Sequence, residues 1–184
     1  MTNNKSIILV TGPCRSGKSE WAETLASQSK KSVVYVATAA VDPNDQEWIT
    51  RIQQHQQRRP PDWLTVAEPT GLSQVLLTYS QSNYCVLVDS LGTWLANYLE
   101  QDETAWIETV NSLQTSLTQT AADVILVAEE TGWGLVPAYP IGRTFRDRLG
   151  SLVRRVGAIA DTVYLVTGGY VLNLTQLGSP LPTE

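Results

Sequence analysis

ILVTGPCRSGKS, residues 8–19, is the stretch that decides the predicted fold. An apolar, β-branched run leads into Gly12, and a helical pattern follows Ser19. The segment 12–19 fits G-x-x-x-x-G-K-[ST], whose glycines let the backbone wrap an anion at close range. Backbone N–H groups and the positive end of the next helix then face a phosphate. The stretch predicts the strand, loop and helix of a P-loop NTPase.

Outside this stretch, short apolar runs alternate with longer helical patterns. The predicted strands are 6–11, 32–38, 84–90, 123–129 and 161–167, and the predicted helices are 17–28, 44–57, 71–81, 91–100, 103–121 and 140–159. The strand runs are continuously apolar, as expected for strands buried on both faces. The alternation predicts an α/β fold with a mostly parallel, doubly wound sheet flanked by helices. Residues 170–175 follow Gly168 and Gly169 and are predicted to form a C-terminal edge hairpin.

Length and composition favour one domain over residues 1–184, with a loose tail at 176–184. The net charge of −5 comes with no dense basic patch, which argues against nucleic acid as the main partner. No segment approaches the ~18 apolar residues of a membrane span. The two cysteines, Cys14 and Cys85, lack the spacing of a metal site. We therefore expect a cytoplasmic protein without a disulfide framework.

Two side chains of the loop carry the expected phosphate chemistry. Lys18 places a positive charge near the β and γ phosphate oxygens, and Ser19 is a ligand for Mg²⁺. Asp89 ends an apolar strand, where the second metal-binding acid of this class stands. An alternative role for Asp89 is to cap the helix that follows. Glu129 and Glu130 end the next strand and are either site residues or ordinary acids at a strand end.

The only histidine, His55, lies in RIQQHQQRRP, residues 51–60. On a helix, Arg51, Arg58 and Arg59 fall within one turn of His55. Neighbouring cations favour the neutral imidazole, which is the nucleophilic form. The same guanidinium groups are suited to phosphate oxygens. Spacing alone leaves open a plainer alternative, a half-exposed histidine among solvated polar residues.

Seven stretches in one order resemble a known family. They are GPCRSGKSEWAE (12–23), VVYVATA (33–39), RIQQHQQRRPPDW (51–63), VLVDSLGTWLAN (86–97), EETGWGLVP (129–137), FRDRLG (145–150) and ADTVYLV (160–166). Together they resemble the bifunctional adenosylcobinamide kinase/adenosylcobinamide-phosphate guanylyltransferase of cobalamin biosynthesis. The resemblance spans roughly residues 7–172, and its most specific parts are the histidine segment and the 129–150 block.

The resemblance implies two reactions. The first phosphorylates adenosylcobinamide with ATP or GTP, and the second transfers GMP from GTP to that phosphate, which gives adenosylcobinamide-GDP and pyrophosphate. His55 matches the family histidine that carries the guanylyl group. The resemblance also implies Mg²⁺ and a homotrimer.

The resemblance assigns nucleotide contacts position by position. They are the loop residues Gly12, Pro13, Cys14, Arg15, Ser16, Gly17, Lys18 and Ser19, then Ala37, Thr38 and Ala39, then Gln56, Gln57, Arg58 and Arg59, and finally Glu68 and Asp89. Glu68 stands one residue after the usual glutamate, whose own position holds Ala67. Gln54, Glu129 and Arg154 or Arg155 are further departures from the family pattern.

Two other functions remain open from the sequence alone. One is a single-activity kinase of a small alcohol, with His55 in a structural role, and the other is a GTP-binding regulatory module. Trp133 either lines a wide apolar substrate or folds onto the protein body. Arg143, Arg146 and Arg148 either reach phosphate or form a solvated helix face.

Overall fold

A seven-stranded sheet forms the centre of the protein. The structure, a computed structural model, describes residues 5–40, 46, 50 and 58–182. Its strands are β1 (Ile7–Gly12), β2 (Ser32–Ala37), β3 (Leu64–Ala67), β4 (Tyr84–Asp89), β5 (Asp123–Glu129), β6 (Thr162–Thr167) and β7 (Tyr170–Asn173). The order across the sheet is β3-β2-β4-β5-β1-β6-β7. All pairs are parallel except β6–β7, so the predicted edge hairpin is confirmed.

The hairpin turns at Gly168 and Gly169, whose φ angles are 58° and 80°. Both values lie in the left-handed region that glycine adopts without a steric penalty. The two glycines therefore let β7 fold back beside β6 and end the sheet with an antiparallel strand.

Helices cover both faces of the sheet. They are α1 (Lys18–Gln28), α2 (Leu72–Thr78), α3 (Leu91–Ala96), α4 (Glu103–Gln119), α5 (Pro140–Gly157) and the short α6 (Leu174–Leu177). On one face, Ala22 and Ala26 of α1 pack against residues such as Val10, Leu87 and Val127. On the other face, α2 to α5 bury a larger cluster that includes Trp94 and Leu95. The predicted doubly wound architecture is therefore confirmed.

Three elements differ from the sequence prediction. The short helix α6 was not predicted, and it replaces the end of the predicted strand 170–175 and the start of the predicted loose tail 176–184. The helix predicted over 91–100 ends at Ala96, because Asn97 caps it and donates its side-chain amide to the carbonyls of Thr38 and Pro69. Strand β3 was not predicted, since its four residues LTVA are largely exposed and carry little apolar signal. Of the helix predicted over 44–57, Gln46 and Thr50 are helical, and the rest lies outside the described residues. No helix of the described part is long and apolar enough to cross a membrane.

Candidate functional site

The loop 12–19 joins the carboxyl end of β1 to the first turn of α1. Arg15 and Gly17 have φ angles of 58° and 92°, which turn the chain sharply before the helix begins. Lys18 opens α1, is only 7% exposed, and donates its Nζ to the Pro13 carbonyl at 3.3 Å. The Lys18 ammonium therefore reaches back to the loop that binds a nucleotide phosphate in P-loop proteins.

Gly12 and Ser16 show how tightly this loop is packed. A Cβ at Gly12 would lie 2.3 Å from the Val166 carbonyl oxygen of β6 and 2.7 Å from Ser16 Oγ. Ser16 Oγ is buried and has no hydrogen-bond partner among the described residues. A buried hydroxyl without a partner is costly unless a ligand supplies one, so this atom fits a phosphate-binding loop.

Asp89 lies at the end of β4, beside the first turn of α1. Its Oδ1 accepts a hydrogen bond from Ser19 Oγ at 3.3 Å, and its Oδ2 accepts one from the Tyr35 hydroxyl at 2.6 Å. Ser90, not Asp89, caps α3, because the Ser90 side chain and Thr93 form a reciprocal capping box. The helix-cap alternative for Asp89 is therefore excluded.

Ser19 and Asp89 supply the oxygen ligands that suit Mg²⁺. This ion binds through one or two carboxylates together with substrate phosphates and water, not in an all-protein cage. The described residues include no cluster of three or more His, Cys, Asp or Glu side chains placed to hold a metal. Ser19 and Asp89 provide one hydroxyl and one carboxylate, a donor set that fits an ion bound mainly by phosphate oxygens and water.

Two arginines near the end of the histidine segment, Arg58 and Arg59, contact α1 and β2. Arg58 forms ion pairs with Glu20 and Glu23, at 3.1 Å and 3.5 Å. The Arg59 guanidinium lies 3.5 Å from the centroid of the Tyr35 ring, and its Nε and Nη1 are buried without hydrogen-bond partners in the described part. Burial raises the pKa of Glu23, and the charge of Arg58 opposes that shift.

The segment after β2 is held by its neighbours. Ala37 is in register with Asp89, so the ends of β2 and β4 lie side by side. The Thr38 side chain is fully buried, donates to the Ser90 carbonyl at 2.7 Å and accepts from the Ser90 N–H at 2.9 Å. The structure therefore directs the Thr38 hydroxyl toward α3, whereas Ala39 is half-buried beside it.

Glu68 follows β3, and its side chain accepts hydrogen bonds from the backbone just before α2. Its Oε1 accepts from the backbone N–H groups of Gly71 and Thr70, at 2.8 Å and 3.0 Å. These bonds lower the pKa of Glu68. At least one carboxylate oxygen of Glu68, which was predicted to contact the nucleotide, thus accepts from the local backbone instead. His55, Gln56 and Gln57 lie outside the described residues.

Glu129 and Glu130, at the end of β5, form hydrogen bonds to residues at the ends of the two neighbouring strands, β4 and β1. Glu129 accepts from Ser90 Oγ at 2.6 Å and from the Gly92 N–H at 3.0 Å. Glu130 accepts from Thr11 Oγ1 at 2.6 Å, and its own N–H donates to the Gly12 carbonyl. The two acids therefore stabilise the elements around the site, in agreement with the plainer of the two roles given to them.

Gly92 leaves room for the Glu129 carboxylate, which leads to a prediction on stability. A Cβ at Gly92 would lie 2.1 Å from Glu129 Oε2. Gly92→Ala should displace the carboxylate and lower the free energy of unfolding by about 2 kcal/mol, the scale of a hydrogen bond to a charged group. In a Glu129→Ala background the same substitution should cost almost nothing. Urea unfolding of the four proteins measures this coupling, and additive effects would contradict it.

Three arginines of α5 form hydrogen bonds or ion pairs within the protein. Arg143 donates to the carbonyls of Pro137 and Ala138, and Arg148 donates to those of Tyr98 and Gln101. Arg146 pairs with the adjacent Asp147 at 2.8 Å. Trp133, by contrast, is 62% exposed, so it is not folded onto the protein body.

The sequence reading missed Tyr35, which touches both Asp89 and Arg59. The signal in the sequence is one aromatic residue within the aliphatic strand SVVYVA. Alone it resembles an ordinary core residue, since aromatic side chains are common in strands. Only the pairing of β2 with β4 brings its hydroxyl to the Asp89 carboxylate.

The mostly parallel sheet, the loop 12–19 and the acid at the end of β4 define a P-loop nucleotide-binding protein. Two solved structures share this fold. A protein of Pyrococcus horikoshii OT3 gives a TM-score of 0.58 at 11% identity and covers 98% of this chain and 95% of its own. An ATPase from the type III secretion system of pathogenic bacteria gives a TM-score of 0.56 at 14% identity. The match covers 95% of this chain and 53% of the ATPase chain. At these identities the likeness concerns the fold alone.

Within that class, the chain belongs to the family described as "Cobinamide kinase / cobinamide phosphate guanyltransferase", which matches residues 8–174. It is 36% identical to the "Bifunctional adenosylcobalamin biosynthesis protein CobP" of Pseudomonas aeruginosa, over 94% of this chain and 98% of that protein. It is 35% identical to the corresponding CobU of Escherichia coli, over 89% and 96%. The family that the sequence motifs predicted is therefore confirmed.

Proposed function

We propose that this chain phosphorylates adenosylcobinamide and then converts the phosphate into adenosylcobinamide-GDP. The main support is the family match over residues 8–174, which includes both the phosphate loop and the histidine segment 51–60. Lys18, Ser19 and Asp89 add further support, because they are the kinds of side chain that bind the phosphates and the Mg²⁺ of a nucleoside triphosphate.

In the first reaction, the aminopropanol hydroxyl of adenosylcobinamide attacks the γ-phosphorus of ATP or GTP. The new bond joins that oxygen to phosphorus, the β–γ bridging bond breaks, and the hydroxyl proton is released. The backbone of 12–19 binds the phosphates, and Lys18 stabilises the charge that develops on their oxygens. The exposed Trp133 offers an aromatic surface for the wide corrinoid.

In the second reaction, a neutral imidazole nitrogen of His55 attacks the α-phosphorus of GTP. A nitrogen–phosphorus bond forms, the α–β bridging bond breaks, and pyrophosphate leaves. A phosphate oxygen of adenosylcobinamide phosphate then displaces the imidazole, which regenerates His55. Two steps replace one direct attack of an anion on another anion, which is the advantage of covalent catalysis. Arg58 and Arg59 follow His55 by three and four positions in the sequence, and their guanidinium groups are suited to the phosphate oxygens of the nucleotide.

Ser19 and Asp89 would hold Mg²⁺ beside the phosphates. When bound, the ion neutralises phosphate charge and favours the departure of the leaving group. The remaining contacts proposed for the nucleotide are those assigned by family resemblance, with Thr38 and Glu68 acting mainly through the structure they hold. We also propose a homotrimer on the same resemblance, which sedimentation equilibrium would test.

Covalent labelling tests the guanylyl transfer directly. After incubation with Mg²⁺ and α-labelled GTP and subsequent denaturation, the wild-type chain should carry an acid-labile, base-stable label, as expected for a phosphoramidate. His55→Asn should lose this label completely, because the amide has no nucleophilic nitrogen. The kinase reaction with γ-labelled ATP or GTP serves as the control and should continue in the variant.

Each alternative function gives a different outcome in this experiment. A single-activity kinase would transfer the γ-phosphoryl group and never take up α-label. A GTP-binding regulatory module would bind GTP and give no product with any corrinoid. Equal label on the wild type and on His55→Asn would remove this residue from the mechanism.

A further inference from the structure

Tyr35 is a core residue that carries a polar contact into the nucleotide site. It lies in β2, two residues before the strand ends, and is 1% exposed. Its ring packs in the cluster between the sheet and α1, together with Leu87 and Val127. Its hydroxyl donates a 2.6 Å hydrogen bond to Asp89 Oδ2.

This bond complements the contact on the other side of the Asp89 carboxylate. Oδ1 accepts from Ser19 Oγ at 3.3 Å, so hydrogen bonds to the two oxygens set the orientation of the carboxylate plane. Burial, followed by the nearby charge of Asp89, raises the pKa of Tyr35. The phenol hydroxyl is the donor in this bond, because an ionised carboxylate only accepts.

The ring of Tyr35 has a separate contact, which the hydroxyl does not share. The Arg59 guanidinium lies 3.5 Å from the ring centroid. A phenylalanine at this position keeps the ring, its packing and its attraction for the guanidinium. Tyr35→Phe therefore removes one interaction, the hydrogen bond to Asp89.

We propose that Tyr35 is a positioning residue that orients the Asp89 carboxylate for the Mg²⁺–nucleotide complex. This inference rests on the nucleotide site of the proposed function. Hydrogen bonds that orient a metal-binding side chain commonly change metal affinity by about 10- to 100-fold when they are removed. A tyrosine that merely fills the core would have no such effect once the ring is retained.

Equilibrium binding of a fluorescent guanosine diphosphate, titrated with Mg²⁺, separates these two roles. For Tyr35→Phe we expect the Mg²⁺ concentration at half-saturation to rise about tenfold, while the affinity for the nucleotide in EDTA stays unchanged. The control is Tyr164→Phe, which alters a half-buried tyrosine of β6 that packs edge-on against Trp21 in the same cluster. This control should titrate like the wild type.

A second background shows whether the effect passes through Asp89. In Asp89→Asn, addition of Tyr35→Phe should leave the Mg²⁺ titration unchanged, because the oriented carboxylate is already absent. A normal Mg²⁺ titration for Tyr35→Phe would overturn the proposal, and so would equal weakening with and without the ion. If the wild type itself binds no guanine nucleotide, that result contradicts the proposed function, on which this inference rests.

Discussion

Lys18→Met is expected to lower the rate of both transfer reactions by about 10²–10³-fold, the loss typical of removing one donor that stabilises transition-state charge. Lys18 is buried at the loop, and its Nζ lies 3.3 Å from the Pro13 carbonyl. Methionine keeps most of the length and removes the charge, so the loop should fold while the phosphate oxygens lose their cation. Initial rates with labelled ATP and GTP measure the effect.

Lys31→Met is the matched control for this substitution. Lys31 forms a 2.7 Å ion pair with Asp123 and is also largely buried, but it precedes β2 at the opposite edge of the sheet from the loop. This variant should lose some stability and keep its rate per folded molecule. A Lys18→Met protein with a normal rate would show that the loop binds phosphate through its backbone alone.

The elements with a strong local signal were predictable from the sequence. β1, β4 and β5 are short, continuous apolar runs rich in β-branched residues, which is typical of strands buried on both faces. The loop 12–19 is determined by residues close together in the chain, with Gly12 and Gly17 five positions apart and Lys18 and Ser19 directly after them. Asp89 was predictable for a related reason, since the carboxyl ends of parallel strands form one edge of the sheet.

The rest depends on contacts between distant segments. Asp89 accepts a hydrogen bond from Ser19, which lies 70 positions away along the chain. Glu129 accepts hydrogen bonds from Ser90 Oγ and the Gly92 N–H at the start of α3. No local pattern assigns these partners, because a carboxylate at a strand end can face a ligand, a helix or solvent. The hydrogen bond between Tyr35 and Asp89 was not predictable for the same reason, because it joins two strands that are distant in the sequence.

These contacts show how the site obtains its rigidity. Glu129 binds the start of α3, and Glu130 binds Thr11 at the end of β1. The end of β1, which leads into the loop 12–19, and the start of α3, which follows Asp89, are thus both hydrogen-bonded to the end of β5. A loop that must hold a triphosphate without rearrangement benefits from such support, since preorganised donors stabilise charge without a reorganisation cost.

Gly12→Ala is expected to have the largest effect on stability, because the new methyl group meets the backbone of β6 in addition to the Ser16 side chain. Its Cβ would lie 2.3 Å from the Val166 carbonyl oxygen, so either β6 or the loop must shift. We expect a loss of about 3 kcal/mol or more in the free energy of unfolding, at the upper end of overpacking effects. Nucleotide binding should be lost as well, since the displaced loop no longer matches a phosphate.

Gly150→Ala supplies the control, because it makes the same chemical change within α5 where a Cβ meets nothing within 4 Å. That variant should gain about 0.5–1 kcal/mol, since alanine favours the interior of a helix over glycine. Urea unfolding and binding of fluorescent guanosine diphosphate measure both variants. If Gly12→Ala unfolded like the wild type and still bound nucleotide, the close approach of β6 to the loop would not be what requires glycine at this position.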